Sequence, residues 1–360
     1  VRNEWIKEFK QPMNWLYIAI CLILPIIIFT GFSKDWFGGF YRQSNADRLQ
    51  VDIALMQFEK VDVKYGDDIY QNLAEQESLL ARRYNSMLFN QPEKFKEVSY
   101  ELAQKELTAR ESKNFLEIKD FQPPLYEVQK NNALFEYLVK HNAPYVVTPL
   151  TQASFLITCL LIFGLIWFPI CAVLTSKALT DELQHKSLTK TQPNSFWQRT
   201  SRKLLSKMTI IIFGLMSSTA ISLLLVTFFG DDTNDFSYKT IVHFLKFTLI
   251  DNWQWLVIYI SYLIVMFLFT FVLSVFLNQT SKSFSLTLLI ELAVYFFIIL
   301  IGDSGKLSPL FFGYYLVPSK LFEGRFMLPM INPLTGFAYL MIFTILLIMV
   351  INIVRRRSNR

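Results

Sequence analysis

Six stretches of this chain run almost free of charged residues: Trp15–Phe32, Phe155–Thr175, Met208–Phe229, Trp255–Leu277, Phe284–Ile301 and Phe337–Val354. A run of that length matches the hydrocarbon thickness of a bilayer, about 30 Å, when it coils as a helix rising about 1.5 Å per residue. A helix also satisfies its own backbone hydrogen bonds, which lipid cannot do. Of the 360 residues 52% are hydrophobic, with 34 Phe, 16 Tyr and 7 Trp, more apolar surface than one soluble core can bury. Only 18% are charged, and they concentrate between Ser33 and Gln152. The expected fold class is an all-α polytopic membrane protein, with six transmembrane helices and a helical extracellular domain.

Aromatic and basic residues mark the ends of the runs: Trp15, Lys177, Lys207, Trp253, Lys282 and the Arg355-Arg356-Arg357 tract. Basic residues resist translocation, so their distribution sets orientation. With the N-terminus inside, the inner segments hold 15 Lys and Arg and the short outer loops hold 5. Both termini are therefore expected in the cytoplasm. The resulting order is TM1 at 15–32, an extracellular domain at 33–152, TM2 at 155–175, an inner loop at 176–207, TM3 at 208–229, TM4 at 255–277 and TM5 at 284–301. An outer loop at 302–336, TM6 at 337–354 and a basic tail at 355–360 complete it. The first run is longer than the core of a secretory signal and no Ala-x-Ala type site follows it, so an uncleaved span is expected.

The outer domain reads as helical. Good helix formers fill Asp47–Lys60, Asp67–Phe89 and Pro92–Ser112, with apolar residues such as Leu73, Leu80, Val98 and Leu102 at helical spacing. Asn90-Gln91-Pro92 and Gln122-Pro123-Pro124 interrupt them, which suits a helical hairpin or small bundle. Residues 1–14 place Trp5, Ile6 and Phe9 among Arg2, Lys7 and Lys10, the pattern of a cytoplasmic interfacial helix, the alternative being a disordered tail. The net charge of +6 is explained by orientation, and no nucleic-acid partner is expected.

The inner loop, long enough for a short helix, a proline-marked turn and a second amphipathic helix leading into the membrane, carries the most informative pattern. Asp181 and Glu182 open it, Ser187 follows, then Pro193 and Ser195, and Arg199, Arg202 and Lys203 lead into the third span. Leu328-Pro329-Met330-Ile331-Asn332-Pro333 precedes the last one. This arrangement of spans, outer domain, inner loop and Asn-Pro element resembles the permease subunits of type-2 ATP-binding-cassette exporters. The matching loop positions are Glu182, Ser187, Pro193, Ser195 and Lys203; Lys186 stands where the family has Gly. The resemblance implies a bacterial plasma-membrane exporter that works as a pair, with a second copy or a related permease, and whose inner loop docks on a separate ATPase. It also implies peptide, antibiotic or lipid-like amphipathic cargo.

The chain has no Gly-x-x-x-x-Gly-Lys-Ser/Thr motif; Gly302-Asp303-Ser304-Gly305-Lys306 has the wrong spacing. It is expected to be no enzyme and to bind no cofactor, ATP and Mg²⁺ sitting on the partner. Asp181 and Glu182 against Arg199, Arg202 and Lys203 offer opposite charges for that contact, or are a solvated loop that only sets topology. Glu291 lies within the fifth run, where a carboxyl must be paired, hydrated or protonated. It either lines a path or contact, or bonds to a neighbouring helix. Pro25 and Pro169 are expected to kink their spans. His141, His185 and His243 are too scattered for a metal site, and Cys21, Cys159 and Cys171 lie in apolar runs. The competing function is a membrane-anchored peptide sensor or immunity factor that binds outside without transport.

Overall fold

The structure is a computed structural model and describes residues 8, 10–34, 36, 39–58, 67–146, 150–180, 182, 195–231, 233–301, 308, 311–326, 328 and 330–358. In chain order, α1 spans Pro12–Ser33, α2 Gly39–Phe58, α3 Asp67–Leu88, α4 Pro92–Glu111, α5 Phe115–Ile118 and α6 Leu125–Lys140. Next come α7 at Gln152–Thr175, α8 at Phe196–Phe229, strands β1 at Lys239–His243 and β2 at Phe247–Asp251, and α9 at Asn252–Ser281. The chain continues through α10 at Phe284–Ile301, α11 at Pro318–Glu323 and α12 at Pro333–Ser358. Helices α1, α7, α8, α9 and α12 are long and apolar enough to cross a membrane; α10 is a shorter apolar helix packed among them. The expected interfacial helix at 1–14 lies largely outside the described residues.

Proline marks several starts. Pro12, Pro92, Pro318 and Pro333 open their helices, where the missing N–H costs nothing. Asn332 caps α12: its Oδ1 accepts from Thr335 N at 3.1 Å, and Thr335 Oγ1 accepts from Asn332 N at 3.1 Å. Pro169 lies inside α7 and cannot donate to the Leu165 carbonyl, and the hydroxyl of Tyr295 on α10 donates to that oxygen instead.

Helix α9 is the centre of the bundle. Of its apolar stretch 56% is buried, against 11% for α12, whose Met341, Ile345 and Met349 face outward. Trp167 Nε1 of α7 donates to the Leu263 carbonyl of α9 at 2.9 Å. Gly164 lets the two helices close, since a Cβ there would fall 1.8 Å from the Tyr259 hydroxyl. Helix α8 packs on α1 in the same way: Tyr17 donates to the Ile211 carbonyl at 2.8 Å, over the space left by Gly214.

One end of this bundle carries Lys177, Lys203, Lys207 and Arg355, and we call it the basic end. The other carries the helical domain. There, α2, α3 and α4 bury Val51, Ile69, Leu73, Leu80, Val98 and Leu102 as one core. A second cluster joins Phe95, Phe135 and Tyr145. Lys96 is almost fully buried between them and donates to the Ala143 carbonyl at 2.8 Å while pairing with Glu93 at 2.7 Å.

Two features of the fold depart from the expected order. Residues 239–251 form an antiparallel hairpin with Lys239 opposite Asp251 and their side chains 2.7 Å apart, an exception to an otherwise helical chain among the described residues. Thr240-Ile241-Val242 and Thr248-Leu249-Ile250 favour the pleat, but these runs are too short to stand out beside the spans. Within 302–336, expected as a loop, a 3₁₀ turn at Phe312–Leu316 and α11 sink into the bundle, where Tyr314, Leu316, Val317, Leu321 and Phe322 are fully buried.

Candidate functional site

The inner-loop residues that the structure describes converge at the basic end, where α7 stops and α8 begins. Ser195 is the N-cap of α8: its Oγ accepts from Gln198 N at 3.3 Å, and Gln198 Oε1 accepts from Ser195 N at 3.0 Å. From this capping box the helix runs 34 residues without a break, about 51 Å at 1.5 Å per residue. That is longer than a bilayer core, so the turns from Ser195 to Lys207 extend beyond the stretch at Met208–Phe229 marked by composition. Residues 196–207 of the inner segment, where an amphipathic helix leading into the membrane is expected, are thus the first part of the third apolar helix.

Glu182 closes the gap between the two helices. Its Oε1 lies 2.8 Å from Lys203 Nζ and its Oε2 lies 3.3 Å from Arg199 Nε, all three side chains being half-buried. Lys203 also donates to the Ala178 carbonyl at 2.9 Å. Three of the groups expected to face a partner, Glu182, Arg199 and Lys203, therefore pair with one another instead. Arg202, one residue away from this pairing, has no ion pair among the described residues. Helix α12 adds the last side: Arg355 lies 3.7 Å over the Phe196 ring, and Trp197 Nε1 donates to Asn352 Oδ1 at 2.8 Å. Apolar contacts of Ala178, Leu179, Val272, Val275 and Ile351 sit beneath. Asp181, Ser187 and Pro193 lie outside the described residues.

Glu291 is elsewhere, inside the bundle on α10, and is 1% exposed. Its Oε1 is 2.6 Å from Ser274 Oγ of α9, and Ser274 Oγ is 2.7 Å from Thr175 Oγ1 of α7. Its Oε2 has no hydrogen-bond partner among the described residues. Nearer the basic end, Asn278 Nδ2 donates to the Ser176 carbonyl at 2.8 Å, and Thr287 Oγ1 donates to Asn278 Oδ1 at 3.2 Å. A polar seam thus binds α7, α9 and α10 and ends beside the Glu182 cluster.

Several polar centres escape a sequence reading because their partners are distant in the chain. Asp235 is fully buried and caps α7 from outside the helix, accepting from Ala153 N at 2.6 Å, Ser154 N at 3.0 Å, Thr151 Oγ1 at 2.8 Å and Ser154 Oγ at 2.6 Å. Its own carbonyl accepts from Asn252 Nδ2 at 2.8 Å, which joins the hairpin loop to the start of α9. In the helical domain, Asp47, Arg83, Glu106 and Glu127 each come from a different helix and influence one another. Burial pushes Glu106 up to about 7, Arg83 opposing the rise, and burial raises Asp47 and Glu127 as well. Asp47 pairs with Arg83 at 2.9 Å. Burial lowers His243, which leans on Phe247 in the hairpin. No group of three metal-ligating side chains occurs among the described residues.

Comparisons of the chain with protein-family models, with curated proteins and with solved structures give no match.

Proposed function

We propose that this chain is the membrane permease subunit of an ATP-binding-cassette exporter in a bacterial plasma membrane, crossing it six times with α10 as the fifth span. In this reading the basic end is cytoplasmic and the helical domain is extracellular. A separate ATPase binds ATP and Mg²⁺ and drives a pair of such subunits, and the cargo is a peptide, an antibiotic or a lipid-like amphipathic molecule.

The observation that carries the reading is mechanical. Glu182 clamps the end of α7 to Arg199 and Lys203 on an unbroken helix that continues into the membrane, with Arg355 of α12 stacked on the same turn. A push on this corner reaches three apolar helices at once. The internal pairing of Glu182 leaves Arg202 as the cation offered to the partner, while Glu182 supplies rigidity.

The test is co-purification from native membranes followed by an ATP hydrolysis assay. Arg202→Glu is expected to weaken ATPase association at least tenfold, and Glu182→Ala to retain binding but lose stimulation of hydrolysis. Unchanged association and stimulation in both variants would remove this corner from the docking site.

A further inference from the structure

The seam around Glu291 contains three short oxygen-to-oxygen links in a row. Glu291 Oε1 and Ser274 Oγ are 2.6 Å apart, Ser274 Oγ and Thr175 Oγ1 are 2.7 Å apart, and Thr175 Oγ1 and the Cys171 carbonyl oxygen are 2.7 Å apart. Oxygens this close need a hydrogen between them, because otherwise lone pairs meet at contact distance. The carbonyl brings none, and the two hydroxyls bring one each. Three links share two hydroxyl hydrogens, so the missing one must come from the carboxyl.

We propose that Glu291 is a proton-binding site, and that the proton it holds closes the seam between α7, α9 and α10. The donation then runs from the carboxyl to Ser274, from Ser274 to Thr175, and from Thr175 to the Cys171 carbonyl. Oε2 becomes the carbonyl oxygen of a neutral acid, for which a buried position without a partner costs far less than for a carboxylate oxygen.

The surroundings favour a proton over a larger cation. Metal ions of the alkali and alkaline-earth kind gather several oxygens at once, whereas the oxygens here are committed to one another. Ser274 of α9 touches the carboxyl, Thr175 of α7 lies behind it and Cys171 of α7 faces it, with Tyr295 one turn further along α10. No basic residue is among them. Lys177 and Lys282 sit at the helix ends, Lys177 lying 4.9 Å over the Phe284 ring, two turns from Glu291. Departure of the proton leaves one of the three links without a hydrogen and forces it open. Ser274 then turns its hydrogen to the carboxylate, the strongest acceptor in the row, and the loosened contact is the Ser274–Thr175 link that holds α9 to α7.

Infrared difference spectroscopy on the full-length protein in lipid nanodiscs near neutral pH tests this. The wild-type minus Glu291→Gln spectrum should contain a protonated carboxylic C=O band, and the Gln variant, a neutral isostere, should unfold at nearly the wild-type temperature. Ser274→Ala retains the carboxyl and should shift the same C=O band, which covers the case in which the Gln variant does not fold. Difference bands confined to carboxylate stretches in either comparison would overturn the proposal.

Discussion

Lys207 on α8 and Glu8, ahead of α1, form an ion pair with Nζ 3.0 Å from Oε2, and both side chains are only 5% exposed. Asn14 Nδ2 donates to the same carboxylate oxygen at 2.9 Å and to the Glu8 carbonyl at 2.7 Å. Removing one member strands a buried charge, which costs about 3–5 kcal/mol. Lys207→Met or Glu8→Gln alone should therefore lower the unfolding temperature in detergent clearly more than the double variant does. A loss in the double variant equal to the sum of the two single losses would show that the pair is not coupled.

Asp235 holds the start of α7 with four donors from Thr151, Ala153 and Ser154. Asp235→Asn keeps the shape but turns one acceptor into a donor facing N–H groups, a loss of about 1–3 kcal/mol. Hydrogen exchange at Ala153 and Ser154 is expected to rise sharply in this variant. Wild-type protection at both amides would contradict the capping role.

Glu106 titrates near pH 7 in the folded domain, up from an ordinary carboxyl value of 4.5, because burial penalises its charge. The folded state therefore binds more protons than the unfolded one between these values, and stability falls as pH rises through that window. The full loss amounts to about 3 kcal/mol, complete above pH 7. Hydrogen exchange of α4 amides against pH should follow this fall in the wild type and flatten in Glu106→Gln.

Topology is open to a direct chemical probe. Lys94 is exposed at the start of α4, so Lys94→Cys presents a thiol on the surface of the helical domain. An impermeant maleimide added to intact cells should label it. Labelling only after the cells are opened would place the domain in the cytoplasm and invert the orientation.

How much of this was legible in the sequence depends on the range of the interaction. Apolar runs and proline starts are local signals, and five of the runs do fold as helices long enough to span a membrane. Helical spacing also marked Leu73, Leu80, Val98 and Leu102, which form the domain core. Lys207 shows the limit: sequence marks it as an anchor at a membrane edge, but its partner Glu8 lies 199 residues away. Asp235 looks like an ordinary loop acid until α7 is brought against it. Within 176–207 the expected amphipathic helix leading into the membrane matches the start of α8 at Phe196, while its continuity with the third span follows only from the fold. Residues 311–326 were hidden, since an aromatic, proline-punctuated segment gives no periodic signal although it is buried.

Reconstitution in vesicles decides whether the chain works by itself. The purified protein is placed in liposomes with and without the ATPase that co-purifies with it, and ATP-dependent movement of a fluorescent amphipathic peptide is followed. Movement is expected only when the ATPase and ATP are both present, and it should vanish with Glu182→Ala. Equal movement by the chain alone, with no ATPase and no nucleotide, would contradict a permease driven from the cytoplasmic side.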